Sequence, residues 1–278
     1  MFIELLEEMK NNNPLTNYHY DGKYKENKLI EIDYVAIQTE LMYYHAQRFY
    51  DIIYIDMANG TNKHDMGLII FSGINHEKQS VLLGYALILE DDYKNYYNAF
   101  GTFFNKFLQR KAPRLVITDI HFERSRALNN IITEETTHLF CQWHVKRFIK
   151  NRFIHLNVMN AQSSAQLMYE IMISLIFTDD KNEFEDYENF LFFESKENHF
   201  SGADYQFLRD LIGLKHKWAK SQIPSKLFIA SDSYNIVRAE SINQMISTRL
   251  FADSTLCALF KIIRDIDEVN NDRYSYET

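Results

Sequence analysis

Residues 51–90 read DIIYIDMANGTNKHDMGLIIFSGINHEKQSVLLGYALILE, and the fold turns on this stretch. Three runs rich in β-branched and aromatic side chains lie within it: Ile52 to Ile55, Leu68 to Phe71 and Val81 to Leu89. Turn-forming clusters separate them at Asn59-Gly60-Thr61-Asn62 and at Asn75-His76-Glu77-Lys78. Runs punctuated in this way predict three consecutive strands in an antiparallel meander. Asp56 stands at the end of the first run. A carboxylate there is costly unless something compensates its charge, and a metal ion is one such partner.

Downstream, the period becomes helical at Tyr93. Tyr96, Phe100, Phe103, Phe104, Phe107 and Leu108 share one side until Ala112-Pro113 ends the pattern. Leu115-Val116-Ile117-Thr118-Asp119 reads as a short buried strand closed by a second acid, residues 123–133 as a helix, and Thr136 to Cys141 as a fifth strand. The order β-β-β-α-β-α-β, with two connections running through helices, predicts parallel pairing beside the meander. Upstream, residues 2–13 carry the apolar spacing of a short helix, Tyr18 to Ile32 suggests a hairpin, and residues 34–48 read as a second helix. Beyond Trp143 the β-type runs give way to helical ones through residue 230, with Trp143 and Trp218 expected to pack within that segment, and further helices follow at 236–250 and 254–269. The chain divides accordingly into a lead-in (1–48), the first part of an α/β core (49–150), a helical insertion (151–232) and C-terminal helices that complete the core (233–278).

Composition limits the function classes. With 278 residues, 46% of them hydrophobic, the chain can bury a sizeable core, and 8 Gly and 3 Pro leave little room for long linkers. Two cysteines, Cys141 and Cys257, provide neither a disulfide framework nor a four-cysteine zinc site, which fits a reducing setting. No apolar run reaches the roughly 20 residues of a membrane span, and the acidic start MFIELLEEMKNNNP is neither a secretory signal nor a transit peptide. A formal charge of −8 argues against nucleic-acid binding by the whole surface but allows a local basic face.

Asp56 and Asp119 each end a predicted strand. If those strands are neighbours, two carboxylates emerge side by side and repel unless hard divalent cations share them. Such a pair, joined by a third acid from a helix, is the arrangement of two-metal phosphoryl transfer. Acids on the first and fourth strands of this order also mark the RNase H-like fold, here a mixed five-stranded sheet flanked by helices. Taken singly, each Asp has the ordinary alternative of a turn former or helix cap.

The motif text carries a resemblance. D-M-A-N-G-T-N-K-H-D-M (Asp56 to Met66), G-I-N-H (Gly73 to His76), S-V-L-L-G-Y-A-L (Ser80 to Leu87), R-K-A-P-R-L-V-I-T-D (Arg110 to Asp119), L-F-C-Q-W-H-V (Leu139 to Val145) and R-A-E-S-I-N (Arg238 to Asn243) together resemble the Mutator-like (MULE) transposases and the plant far-red-response transcription factors derived from them. The resemblance implies a DDE core with an all-helical insertion before the third acid. Asp56, Asp119 and Glu240 would be the catalytic and metal-binding triad, holding two Mg²⁺ or Mn²⁺ ions. Asn243 would belong to the E-x-x-N helix, and Glu240 alone also reads as a solvated helix residue. Cys141 and His144 match the family's C-x-x-H motif. Two cysteines do not close a structural zinc site, so the expected role is support of the acids or of a phosphate, with burial and packing as the alternative. Lys146, Arg147, Lys150 and Arg152 form a basic stripe suited to DNA phosphates, or an ordinary solvated face.

The implied function is metal-dependent strand cleavage and strand transfer at transposon ends in the nucleus. DNA ends, target DNA and a second copy of the chain are the candidate partners, and no membrane is involved. The alternative is a domesticated or truncated relative that acts as a non-catalytic, DNA-associated transcription regulator or scaffold. The zinc-containing domains that flank this core in full-length members find no ligands among two cysteines, so the chain is expected to be a fragment or to depend on another protein for end recognition.

Overall fold

The computed structural model describes residues 2–26, 28–154, 161–197, 201–225, 227, 246, 248–250 and 253–275. Two compact units emerge: residues 1–137 with 233–278, and residues 138–232.

The first unit is built on the predicted meander. Strands β3 (Ile52–Ala58), β4 (Gly67–Ile74) and β5 (Ser80–Ile88) pair antiparallel in sequence order. On the far side of β3 lies β6 (Leu115–Thr118), which runs parallel to it from Ile52↔Leu115 to Ile55↔Thr118. The lead-in does more than precede this sheet. Strands β1 (Asn17–Lys25) and β2 (Lys28–Gln38) form a hairpin, and β2 pairs antiparallel with β5 from Tyr34↔Ile88 to Ile37↔Tyr85. With β7 (Thr137–Phe140) the sheet has seven strands in the order β1-β2-β5-β4-β3-β6-β7. The five-stranded expectation is therefore two strands short among the described residues, because the hairpin joins the sheet.

A second correction concerns residues 34–48. Tyr34 to Gln38 are strand, and helix α2 occupies only Glu40–Arg48. Thr39 marks the switch: its hydroxyl accepts a hydrogen bond from Met42 N at 3.2 Å, the bond expected of a helix N-cap. The apolar run Tyr34-Val35-Ala36-Ile37 is buried on both faces of the sheet, so it lacks the alternation that would have separated strand from helix.

Alternation along β4 divides the core into two layers. Ile69 and Phe71 belong to one cluster, with Tyr96, Phe100 and Phe103; Leu68 and Ile70 belong to the other. Successive strand residues point to opposite faces, so the clusters lie on opposite sides of the sheet. On β5 the parity changes. Val81 and Leu83 share the first cluster with Ala86 and Ile88, because the pairing slips by one residue between Phe71↔Gly84 and Ser72↔Leu82. The first layer is covered by helix α3 (Tyr93–Thr102), a π-helical turn (Phe103–Phe107) and helix α4 (Phe122–Asn129). Phe71 stacks on Phe103 with centroids 3.9 Å apart. The second layer is covered by helix α1 (Phe2–Asn12) and the C-terminal helix, α9 (Leu256–Ser275), which contributes Leu259, Phe260, Ile263 and Ile266. Thr39 also donates to Asp267 of α9 at 2.8 Å, so the residue that caps α2 holds this helix as well.

The second unit is helical: α5 (Gln142–Ile154), α6 (Ala161–Phe177), α7 (Lys181–Glu197) and α8 (Gly202–Gly213), followed by short 3₁₀ turns at Lys215–Lys217 and Lys220–Gln222. Trp218 is fully buried here, and its indole N–H donates to the carbonyl of Leu211 at 3.0 Å. Among the described residues, no helix is long and apolar enough to cross a membrane.

Candidate functional site

Asp56, within β3, and Asp119, just past the end of β6, are the residues that follow the last pair of the parallel ladder, Ile55↔Thr118. Neighbouring strands lie about 4.8 Å apart, and the two acids are the next residues along two such neighbours. Local order fixes each one. Asp56 Oδ1 accepts from the N–H of Met57 at 2.8 Å while β3 continues along β4 to Ala58. Thr118 Oγ1 donates to the carbonyl of Asp119 at 2.8 Å, just where β6 stops. Both acids are partly exposed.

Asp119 has a partner that the sequence did not announce. Arg124, in the first turn of α4, pairs with its carboxylate through Nη1. The guanidinium is buried, and Nη2 donates to Tyr96 Oη at 3.1 Å and lies 3.1 Å from Met57 Sδ. It also sits over the Tyr96 ring, 5.1 Å from the centroid. Its remaining donor, Nε, is buried without a partner. The network continues outward. Tyr96 donates to Asp91, and His121 Nε2 approaches the same Asp91 oxygen at 3.3 Å. His121 Nδ1 accepts from the N–H of Arg124 at 3.3 Å and so caps α4, which leaves the ring proton on Nε2, facing Asp91.

The electrostatics of this network follow from its burial. Burial opposes the charged form of Arg124, but Asp119 and Tyr96 outweigh it and raise the guanidinium pKa. Burial likewise pushes the Tyr96 phenol well up, so it stays a hydrogen-bond donor. The sequence offered one weak signal for Arg124, an arginine five residues after the second acid in an otherwise polar short helix. Nothing pointed to Tyr96, Asp91 and His121 as its companions.

Cys141 is buried at the start of α5, and His144 packs edge-on against Trp143 with centroids 4.9 Å apart. Trp143 is only partly buried and carries the Arg147 guanidinium over its ring at 5.3 Å, so it is less enclosed than a core tryptophan such as Trp218. Lys146, Arg147 and Lys150 are exposed on α5, and no carboxylate pairs with them among the described residues. Arg152, expected to join them, instead pairs with Asp204 of α8 at 2.6 Å and lies over Phe207. Elsewhere in this unit, His138 and Lys217 face each other, with Nδ1 and Nζ 3.1 Å apart. Burial first, and the lysine's charge second, pull His138 down to about 3. Glu240 and Asn243, with the whole R-A-E-S-I-N run, lie outside the described residues. Among the described residues, no three His, Cys, Asp or Glu side chains are grouped to hold a metal ion.

Comparison with known proteins agrees with the strand-end motifs. Residues 52–147, which contain both aspartates and the C-x-x-H pair, match the MULE transposase domain model. Across 262 residues, 94% of this chain, it is 22% identical to Protein FAR1-RELATED SEQUENCE 5 of Arabidopsis thaliana. Across 230 residues, 83% of the chain, it is 24% identical to Protein FAR-RED IMPAIRED RESPONSE 1 of the same plant. Protein FAR1-RELATED SEQUENCE 2, also of Arabidopsis thaliana, is 33% identical over 100 residues, 35% of this chain and 12% of that protein. The chain spans only 31% and 26% of the length of the first two relatives. Residues 52–147 are therefore similar to the MULE transposase domain, and the chain to FAR1-type plant proteins.

Proposed function

We propose that this chain is the RNase H-like catalytic core of a Mutator-like DDE transposase, in which Asp56, Asp119 and Glu240 direct metal-dependent cleavage and transfer of DNA strands. The observation that carries this reading is the placement of Asp56 and Asp119 directly after the last pair of the β3/β6 parallel ladder. The strand succession β5-β4-β3-β6-β7, antiparallel through β3 and parallel from β3 to β6, supports the RNase H-like assignment.

The donor chemistry fits a hard divalent cation such as Mg²⁺ or Mn²⁺: two aspartates that follow the last pair of one parallel ladder, offering only oxygen atoms. Bound there, such an ion supplies Lewis acidity at a phosphorus centre under attack. The protein's share is positional. Strand β3 fixes Asp56, β6 delivers Asp119, and Arg124 holds one oxygen of Asp119, leaving the other for a ligand. The exposed Lys146, Arg147 and Lys150 suit backbone phosphates and make DNA the partner, with the nucleus as the compartment where it is met.

A second reading has its own observation. Arg124 gives Asp119 a structural partner that needs no metal, so the acid would persist in a domesticated, non-catalytic DNA-associated regulator. Nicking of supercoiled plasmid with Mn²⁺ separates the two. The transposase reading expects nicking by the wild type and a loss of roughly 10²-fold or more in Asp56→Asn, on the scale of losing a group that stabilises the transition state. DNA binding without nicking in either protein would establish the regulator reading instead.

A further inference from the structure

We infer that Arg124 is the resident counter-ion of Asp119: a buried guanidinium that takes up the acid's charge where a divalent cation would otherwise do so, and that metal binding has to work against. The inference rests on the proposal that Asp56 and Asp119 form the metal-binding pair. Three features of Arg124 carry it. Its side chain is 5% exposed, so water screens its charge poorly, and Asp119 is the carboxylate it pairs with. It is held from the other side by the Tyr96 hydroxyl and ring and by the Met57 sulfur, groups that fix the guanidinium without cancelling its charge. Its Nε is buried without a partner, a desolvation cost that leaves the Asp119 pair as the main compensation for burying the guanidinium.

The surrounding charges set the direction of the effect. Asp91 lies beyond Tyr96 and is shared with His121, so it is not the acid that pairs with Arg124. A cation added to Asp119 therefore meets a fixed positive charge on the same carboxylate. A purely structural Arg124 predicts that removing it disorders the site and weakens metal binding. A resident counter-ion predicts the reverse.

The test uses the full chain and Mn²⁺ alone, titrated by calorimetry into wild type, Arg124→Gln and Tyr96→Phe. Arg124→Gln should tighten Mn²⁺ binding at least about tenfold, while Tyr96→Phe, which keeps the charge, should stay within about threefold of wild type. Unchanged or weaker binding in Arg124→Gln overturns the inference and leaves the metal reading of the acids standing. A second arm needs no metal and no folded Arg124→Gln: thermal melts in EDTA of Asp119→Asn and of Asp119→Asn combined with Arg124→Gln. The double variant should melt above Asp119→Asn, because it removes the buried charge that the single change strands. A double variant that melts no higher overturns the counter-ion role. If no protein binds Mn²⁺ and the double variant still recovers its melting temperature, the counter-ion stands and the metal reading falls.

Discussion

Asp119 and Arg124 form one ion pair with two unequal halves: the carboxylate is 25% exposed and the guanidinium 5%. Water can still reach the acid but hardly reaches the base. The pair is thus open on the side of the strand ends and closed on the side of the core.

The asymmetry predicts how the two strand-end acids respond to deletion. Asp119→Ala leaves a buried guanidinium without its anion and should cost about 3 kcal/mol, the lower end for breaking a buried pair because the acid is partly solvated. Asp56→Ala removes a partly exposed carboxylate that accepts from the N–H of Met57 and should cost about 1 kcal/mol. Urea unfolding of both variants checks this. Equal losses would mean that the Arg124 pair contributes little. The same reasoning makes Asp56→Asn the cleaner probe of metal binding, since a loss in Asp119→Ala could reflect partial unfolding.

His138 predicts a pH dependence in the helical unit. Its folded pKa of about 3 lies below the ordinary value of 6.5. The unfolded chain therefore takes up a proton first as pH falls. The stabilising contribution is complete above about 6.5 and declines toward 3, by roughly 1.4 kcal/mol per pH unit. Urea midpoints measured between about pH 7.5 and about pH 5 should fall more steeply for wild type than for His138→Gln. Parallel slopes would show that His138 takes up its proton alike in the folded and unfolded chain.

Trp218 anchors the same unit, being fully buried with its indole N–H bonded to Leu211. Trp218→Ala should cost about 3–5 kcal/mol through the cavity it leaves. Trp218→Phe should cost less, since it keeps most of the volume and leaves only the Leu211 carbonyl to find a new donor. Differential scanning calorimetry of the two variants tests the order, and a larger loss for Phe would contradict it.

How far the sequence could be read depended on the range of each interaction. Strands β3 to β5 were legible because their apolar runs are bounded by Asn- and Gly-rich turns, and β6 because Leu115 to Thr118 is a short apolar run ending in an acid. The hairpin was visible as a local feature, but its place in the sheet depends on Tyr34 meeting Ile88, a pairing that no local pattern reports. Residues 34–38 were misread as helix because both of their faces are buried, which erases the period of two. Asp56 and Asp119 stand out in the sequence because each closes an apolar run; in the structure Asp119 does follow the end of β6, whereas β3 continues past Asp56 to Ala58. Arg124 was missed because its partners Tyr96, Met57 and Asp119 come from three different elements, and a charged residue in a short polar helix looks the same whether it is buried or solvated.

The most direct test of the central claim, that Asp56 and Asp119 together form a divalent metal site, is calorimetric titration of Mn²⁺ into wild type and Asp56→Asn, with and without a DNA oligonucleotide. The account predicts saturable binding to wild type that weakens at least about tenfold in Asp56→Asn, whose fold should be unchanged. Equal binding by both proteins, or none by either with DNA present, would contradict it.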